Sequence, residues 1–404
     1  MHRPFLLLWS GQTLSMVGSE VSVLILPLIA VKVLAASTFQ TALLTFFGSL
    51  AFLLISLPAG VVVDRVHKRR LMLVCDLARM LLIGSIPVAA VLGSVTLGQL
   101  YVVVSVVGAL TVFFDIAAQS YLPLLVDRSL LADGNGKLGA SASVAQLAGP
   151  SLAGALVSVM GLARTLVLDA ASYALSVVSL LLIRTPEPAR APGPPGTPRG
   201  AAFRAAMAEG LRFVLRHPVL RAIVACTATS NFFITAIESI QMVYLTRTLH
   251  ARPAQICLIL ALGAVAGLAG GLCAGRLSAR VGSARIIWLS LLVPGALYVL
   301  LPLARSGAGL ALYAIGWAAL SLSAVVYNTA QISYRQAICP PELLGRMNAS
   351  VRWVVWGPMP LGALFGGSMG TWIGLRPSLW ICALGAWAAG LLLLLSPLRG
   401  MRGH

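Results

Sequence analysis

From Leu97 to Leu125 the sequence reads "LGQLYVVVSVVGALTVFFDIAAQSYLPLL", with Asp115 as its one charge. A helix of about 20 mostly apolar residues crosses the hydrocarbon core of a bilayer, and this run exceeds that length. Comparable runs, set off by Gly, Pro and charge clusters, lie at residues 5–34, 40–63, 71–93, 97–125, 138–160, 162–183, 219–249, 253–275, 286–303, 310–331, 351–373 and 378–395. They are continuous, not alternating, so the backbone must be satisfied inside helices and not around a barrel. The expected fold class is an all-α polytopic membrane protein with twelve transmembrane helices.

Only 10% of the residues are charged, against roughly 25% in soluble domains, and the mean hydropathy is +0.93. A net charge of +18 invites a nucleic-acid partner, yet the bases form no patch on a soluble domain. They sort instead by side of the membrane. With the N-terminus inside, about 23 bases, Arg79 among them, fall on the cytoplasmic side and 6 outside. The positive-inside rule then places both termini in the cytoplasm. Cys75, Cys226, Cys257, Cys273, Cys339 and Cys382 are scattered without CxxC or CxxH spacing, so reduced packing thiols and no metal site are expected. The opening "MHRPFLLLWSGQTLS" lacks a small-residue cleavage site and reads as the first span.

"RTPEPARAPGPPGTPRG", beginning at Arg184, cannot hold a helix through its prolines and glycines. A cytoplasmic linker over 184–218 therefore separates an N-terminal six-helix bundle, 1–183, from a C-terminal one, 219–404. Within the linker Phe203, Met207, Leu211 and Val214 share one helical face. That face suits either the inner membrane interface or the protein's own cytoplasmic surface. The two bundles echo each other. "AGVVVDRVHKRR" at Ala59 returns as "AGRLSARVGSAR" at Ala274, aligning Arg70 with Arg285, and keeps no acid where Asp64 stood. "LLADGNGKLGAS" at Leu130 returns as "LLGRMNASVRW" at Leu343, and "AGPSLAGAL" at Ala148 as "WGPMPLGAL" at Trp356. Repeated halves are common in secondary transporters, with the substrate site near the bilayer midplane.

These features resemble the major facilitator superfamily and, within it, the drug:proton antiporters. The family's loop motif between helices two and three, G-x-x-x-D-R-x-G-R-R, is matched by Gly60, Asp64, Arg65, Arg69 and Arg70, with His67 in place of the second glycine. The helix-five antiporter motif, G-P-x-x-G-G, is matched by Gly149, Pro150 and Gly154, with Ala153 in place of one glycine. The resemblance implies two six-helix bundles, alternating access and efflux. In the loop, Asp64 among bases can hold two helix ends through charge-assisted bonds, or the bases can serve orientation alone. In helix five, Gly149, Pro150 and Gly154 suit a bend at a close helix contact.

Four acids fall inside spans, where an unpaired carboxylate costs about 3 kcal/mol or more; Asp115 lies toward the cytoplasmic end and Asp169 nearer the outside. Glu20 and Glu238 sit midway along helices one and seven and are expected to face a central cavity, binding protons and attracting cations. Asp115 aligns with Asn328 of helix ten, which leaves its role between coupling and packing. Asp169 has a simpler reading, a pair with Arg164 at helical spacing. Asp76 lies in the first turns of helix three near Arg79. Gln12, Asn231, Gln241, Tyr244, Tyr327, Asn328, Trp353 and Trp356 are candidates for lining an apolar drug cavity with a few polar and aromatic groups.

The function expected is proton-coupled efflux of hydrophobic or cationic small molecules, with export of a native siderophore-like metabolite as the alternative. An intramembrane enzyme would need a DxxxD, HExxH or GxSxG group, and an ATP-driven pump a P-loop; the sequence has none of these. The partners expected are a small-molecule substrate, protons and the bilayer of a bacterial inner membrane. No cofactor and no nucleic acid are expected, and the chain reads as a monomer.

Overall fold

The computed structural model describes residues 3–63, 66–126, 131–185, 209, 211–339 and 344–397, and among these there is no strand. The first half supplies α1 (Arg3–Lys32), α2 (Thr38–Val63), α3 (Lys68–Val91), α4 (Leu97–Leu125), α5 (Leu131–Met160) and α6 (Leu162–Leu182). The second supplies α7 (Pro218–Val243), which continues as a π turn at Tyr244–Thr248, α8 (Pro253–Val281) and α9 (Ser283–Gly295), which continues to Leu303. Then follow α10 (Leu310–Ile338), α11 (Leu344–Trp356), α12 (Pro358–Trp372) and α13 (Leu375–Ala389).

Ten described helical stretches are long and apolar enough to cross a membrane. The remaining two of the twelve expected spans are interrupted, both at the repeated Gly-Pro. In α5 the segments 137–146 and 148–160 meet at 44°. Pro150 cannot donate to the carbonyl of Gln146, so the ladder opens there. The eleventh span is divided at Gly357 into α11 and α12, because Pro358 and Pro360 remove two donors in succession.

The halves repeat in backbone detail as well as in sequence. Ala35 after α1 and His250 after α7 both take positive φ, 51° and 52°. Gln40 and Gln255 each reach back to the backbone N–H three residues earlier, at 2.8 and 2.9 Å. Gly161 before α6 and Gly374 before α13 share φ of 81° and 91°, a conformation that favours glycine. Thr165 and Ser378 then donate to the carbonyls of these glycines at 2.8 and 2.7 Å.

Contacts divide the chain into two compact units, Met1–Ala189 with Met242–Ala261, and Arg190–Gln241 with Leu262–His404. In the first unit α6 packs on α1 and α3, α4 on α2 and α3, and α5 on α1. Its apolar core gathers Phe114, Ala117, Ala118 and Tyr121 of α4 against Phe5 and Leu8 of α1 and Met72 and Cys75 of α3. The second unit has one cluster of Val219, Ile223, Ile287, Val326 and Tyr327. Another joins Val214 to Leu220, Met347 and Val351. The described end of the linker, 211–216, is thus packed on the protein through Val214; Phe203 and Met207 lie outside the described residues. On the outer faces Leu54, Val74, Leu81 and Val88 are exposed, as a lipid-facing surface requires.

Candidate functional site

A cavity of about 310 Å³ lies in the first unit, walled by α1, α3, α4 and α5. Helix α1 contributes Gln12, Ser15, Met16, Ser19 and Glu20, spaced so that all five share one face. Helix α4 adds Thr111, Phe114 and Asp115, α5 adds Ser143 and Gln146, and α3 adds Arg79. Glu20 and Asp115, named from the sequence for separate reasons, therefore share one cavity. Glu20 is half-buried, and α5 approaches it through Gly149, where an added Cβ would fall 2.6 Å from the Glu20 Cβ. The small residue of the helix-five motif thus makes room for Glu20 of α1.

Behind this wall lies a polar network that sequence reasoning did not assemble. Arg79 is 3% exposed, so among the bases counted to the cytoplasmic side it is one enclosed in the protein interior. Its guanidinium pairs with Asp76 one helical turn earlier and donates to Thr111 Oγ1 at 3.3 Å. The ring of Phe114 lies 4.4 Å from it and that of Tyr173 4.7 Å, so cation–π attraction adds to the ion pair. Ser176 of α6 donates to the other oxygen of Asp76 at 2.6 Å. The available signal was the i, i+3 spacing of Asp76 and Arg79.

Asp169 departs from its sequence reading. It is 1% exposed and accepts hydrogen bonds from Ser22 of α1 and Ser172 of α6, while Arg164 is exposed. Arg164 precedes Asp169 by five residues, which turns the two side chains to different faces of α6. Gly18 allows the contact with α1, since a Cβ there would sit 2.5 Å from Asp169 Oδ1. One turn along, Tyr173 Oη lies 2.8 Å from Ser19 Oγ.

The second-unit candidates disperse. Glu238 on α7 is exposed and has no hydrogen-bond or ion-pair partner among the described residues; it is not a wall residue of the first-unit cavity. Tyr327 sits in the packed core, where its hydroxyl meets Thr227 Oγ1 at 2.6 Å and donates to the Ile223 carbonyl at 3.2 Å. That hydrogen bonding fixes it as a core tyrosine and not a cavity one. Asn328 is exposed and accepts from Gln331 at 3.4 Å. Asn231 donates to the Val355 carbonyl at 2.8 Å, tying α7 to the helix that carries Trp353 and Trp356. Arg352 lies 4.2 Å over the Trp356 ring, and Trp353 is 44% exposed. Gln241 is buried, and its amide nitrogen has no hydrogen-bond partner among the described residues. Tyr244 is buried in the π turn that belongs to the first unit.

A family model described as Major Facilitator Superfamily matches residues 8–359. This chain belongs to that superfamily. The multidrug efflux pump Tap of Mycolicibacterium fortuitum is 25% identical over 381 residues, covering 92% of this chain and 90% of its own length. Macrolide efflux protein A of Streptococcus pyogenes is 24% identical over 394 residues, covering 94% and 93%. Two solved structures share the fold. A bacterial homologue of the iron transporter ferroportin, inward-facing, has TM-score 0.74 and 15% identity over 97% of this chain and 98% of its own. A bacterial homologue of the human lysosomal transporter Spinster has TM-score 0.72 and 17% identity over 97% of each chain. The protein is a membrane transporter and not an enzyme.

The superfamily motifs can be placed in part. Asp64 and Arg65 lie outside the described residues, and Gly60 falls in the last turn of α2. Arg69 donates through Nε to the Leu180 carbonyl at 2.8 Å and through Nη2 to that of Leu181 at 2.9 Å. Its charge therefore caps the C-terminus of α6, where free carbonyls and the helix dipole favour a cation. Arg70 beside it is exposed. In α5 Gly149 and Pro150 are buried, and a Cβ at Gly154 would lie 2.8 Å from Cys257 Cβ of α8.

Proposed function

We propose that this transporter expels hydrophobic, cationic small molecules in exchange for protons. The observation that carries the reading is the charge balance of the first-unit cavity. Its wall holds two carboxyls, Glu20 and Asp115, and a single guanidinium, Arg79, which a third carboxyl, Asp76, already holds. An anionic ligand finds its one cation spent on Asp76. A cationic ligand finds an acid excess beside Phe114 and Met16, in a volume of the size that small ligands occupy. Glu20 has no hydrogen-bond or ion-pair partner among the described residues, so proton and cation can compete for it. The efflux names of Tap and macrolide efflux protein A support the outward direction.

In this reading the protein sits in a bacterial inner membrane with both termini in the cytoplasm, is energised by the proton gradient and works as a monomer. Glu238 is the second-unit acid of the cycle. The loop of Asp64, Arg65, Arg69 and Arg70 ties cytoplasmic helix ends together, as the cap that Arg69 places on α6 supports. The test is ethidium transport by everted membrane vesicles under an imposed pH gradient. Glu20→Gln should lower the rate at least tenfold and Glu238→Gln by a smaller factor. Undiminished proton-driven transport in both variants would remove the assignment of these acids.

A further inference from the structure

We infer that Asp169 is a second proton-carrying carboxyl of the transport cycle, set behind the cavity wall and reached from it through the hydroxyls of Ser19 and Tyr173. The inference rests on the proton-coupled reading given above and assigns that reading a site that neither the motifs nor the cavity contain.

The two deepest acids of the first unit differ in their partners. Asp76 is held by Arg79, a permanent cation that donates and never accepts. Such a partner stabilises only the ionised carboxylate. Asp169, equally enclosed at 1% exposure, has hydroxyls instead: Ser22 Oγ on Oδ2, and Ser172 Oγ on Oδ1 at 3.3 Å. A hydroxyl donates to a carboxylate and, after rotating, accepts from a carboxylic acid. Asp169 is therefore equipped for both protonation states, which a purely structural acid does not require. No cation is paired with it among the described residues, and a lone ionised carboxylate at this depth is costly.

The groups that face it are few. Helix α1 presents Gly18, Ser19 and Ser22, while its one acid, Glu20, lies on the cavity side against Gly149. Helix α3 presents Arg79, held by Asp76 and stacked on Tyr173. From α6 itself come Ser172, Tyr173 and, five residues away and exposed, Arg164. The described base of α5, Lys137, sits at the level of Trp9, far along α1 from Ser22.

The route to the cavity is a two-rung ladder between antiparallel helices. Ser19 lines the cavity and meets Tyr173 at 2.8 Å; one turn on, Ser22 meets Asp169. Ser19 Oγ also donates to the Ser15 carbonyl at 2.8 Å, so at rest Tyr173 Oη donates to Ser19. In the inferred step both hydroxyls rotate: Ser19 takes a proton from the cavity and gives its own to Tyr173, and Tyr173 gives its own to Asp169 across the turn of α6 between them. Asp169 becomes neutral, the hydroxyls rotate back, and the reverse sequence returns the proton.

Purified protein in liposomes tests this with ethidium as the probe. Two rates are compared: uphill accumulation driven by a pH gradient, and ethidium–ethidium exchange without one. Wild-type accumulation that ignores the gradient removes the coupled reading itself, before any variant is considered. Given a proton-driven wild type, Asp169→Asn should lose accumulation at least tenfold while exchange stays within about twofold. Tyr173→Phe, which keeps the ring on Arg79, should slow accumulation severalfold and flatten its pH dependence. Accumulation at the wild-type rate in Asp169→Asn overturns the inference. So does a parallel loss of both rates in Tyr173→Phe, the readout to use if the Asp169 variant does not fold.

Discussion

In the first unit α1 and α6 meet over Gly18, Ser19 and Ser22 on one side and Asp169, Ser172 and Tyr173 on the other. The corresponding helices of the second unit, α7 and α13, meet where Phe233 fills the space over Gly385. Phe232, Phe233 and Phe365 then form a ring cluster with centroids 5.1 to 6.3 Å apart. Counted from Gly161 and Gly374, Asp169 corresponds to Cys382 and Tyr173 to Ala386. Counted from Arg70 and Arg285, Asp76 corresponds to Leu291 and Arg79 to Pro294. One backbone plan has thus been filled twice, once with hydroxyls, carboxyls and a guanidinium and once with groups that pack. The fold requires neither filling, and the proposed proton path is confined to the first.

The largest effect should come from giving the first unit half of the second unit's interior. Arg79→Leu strands Asp76, and Asp76→Leu strands Arg79; each should cost about 3–5 kcal/mol as an uncompensated buried charge. The double substitution should recover most of that loss, because an apolar pair of similar volume replaces the whole ion pair. Thermal unfolding in detergent across the double-mutant cycle measures it, and additive losses would mean that the pair is not a unit.

An intermediate effect should separate packing from coupling. Gly18→Ala and Gly385→Ala both push a methyl into an occupied contact, at about 1–3 kcal/mol each. Gly18→Ala also displaces Asp169, so it should lower the ratio of proton-driven accumulation to ethidium exchange, whereas Gly385→Ala should leave that ratio intact. Equal ratios in the two variants would erase the functional distinction between the units.

The smallest effect belongs to Tyr327→Phe. Thr227 loses its bond to the Tyr327 hydroxyl, at about 1 kcal/mol, but keeps its bond to the Ile223 carbonyl. Ethidium efflux should not change, since Tyr327 is spent inside the second-unit core. A drop in efflux without a drop in unfolding temperature would return Tyr327 to the cavity candidates.

Hydropathy made the spans legible because lipid tolerates so few alternatives to a long apolar helix. The echoes pointed to a repeated plan, which recurs in the backbone at Ala35 and His250 and at Gly161 and Gly374, and the intramembrane position of Glu20 and Asp115 marked two acids that line one cavity. Other features failed for physical reasons. A hydropathy window sums side chains and is blind to a missing N–H, so the division at Gly357 stayed hidden although Pro358 was in view. A count of bases by side of the membrane takes no account of burial, so it grouped Arg79 with the cytoplasmic bases although its side chain is enclosed. The partner of Asp169 lies on another helix, at Ser22, and a single sequence carries no interhelical register. Spacing within α6 offered Arg164 only because it was nearby in the chain.

The short segment Met242–Ala261, which joins α7 to α8, packs with the first unit, with Arg247 bonded to the Ala36 carbonyl and Cys257 lying against Gly154. Chains emerge from the ribosome at about 5–20 residues per second. The N-terminal bundle consequently waits several seconds, through the synthesis of the linker and all of α7, for its last piece. Until Ala261 has been made, the small-residue face at Gly154 is open to lipid and to other chains. A gene cut at the linker would deliver a first half that is threaded through the membrane but never closed.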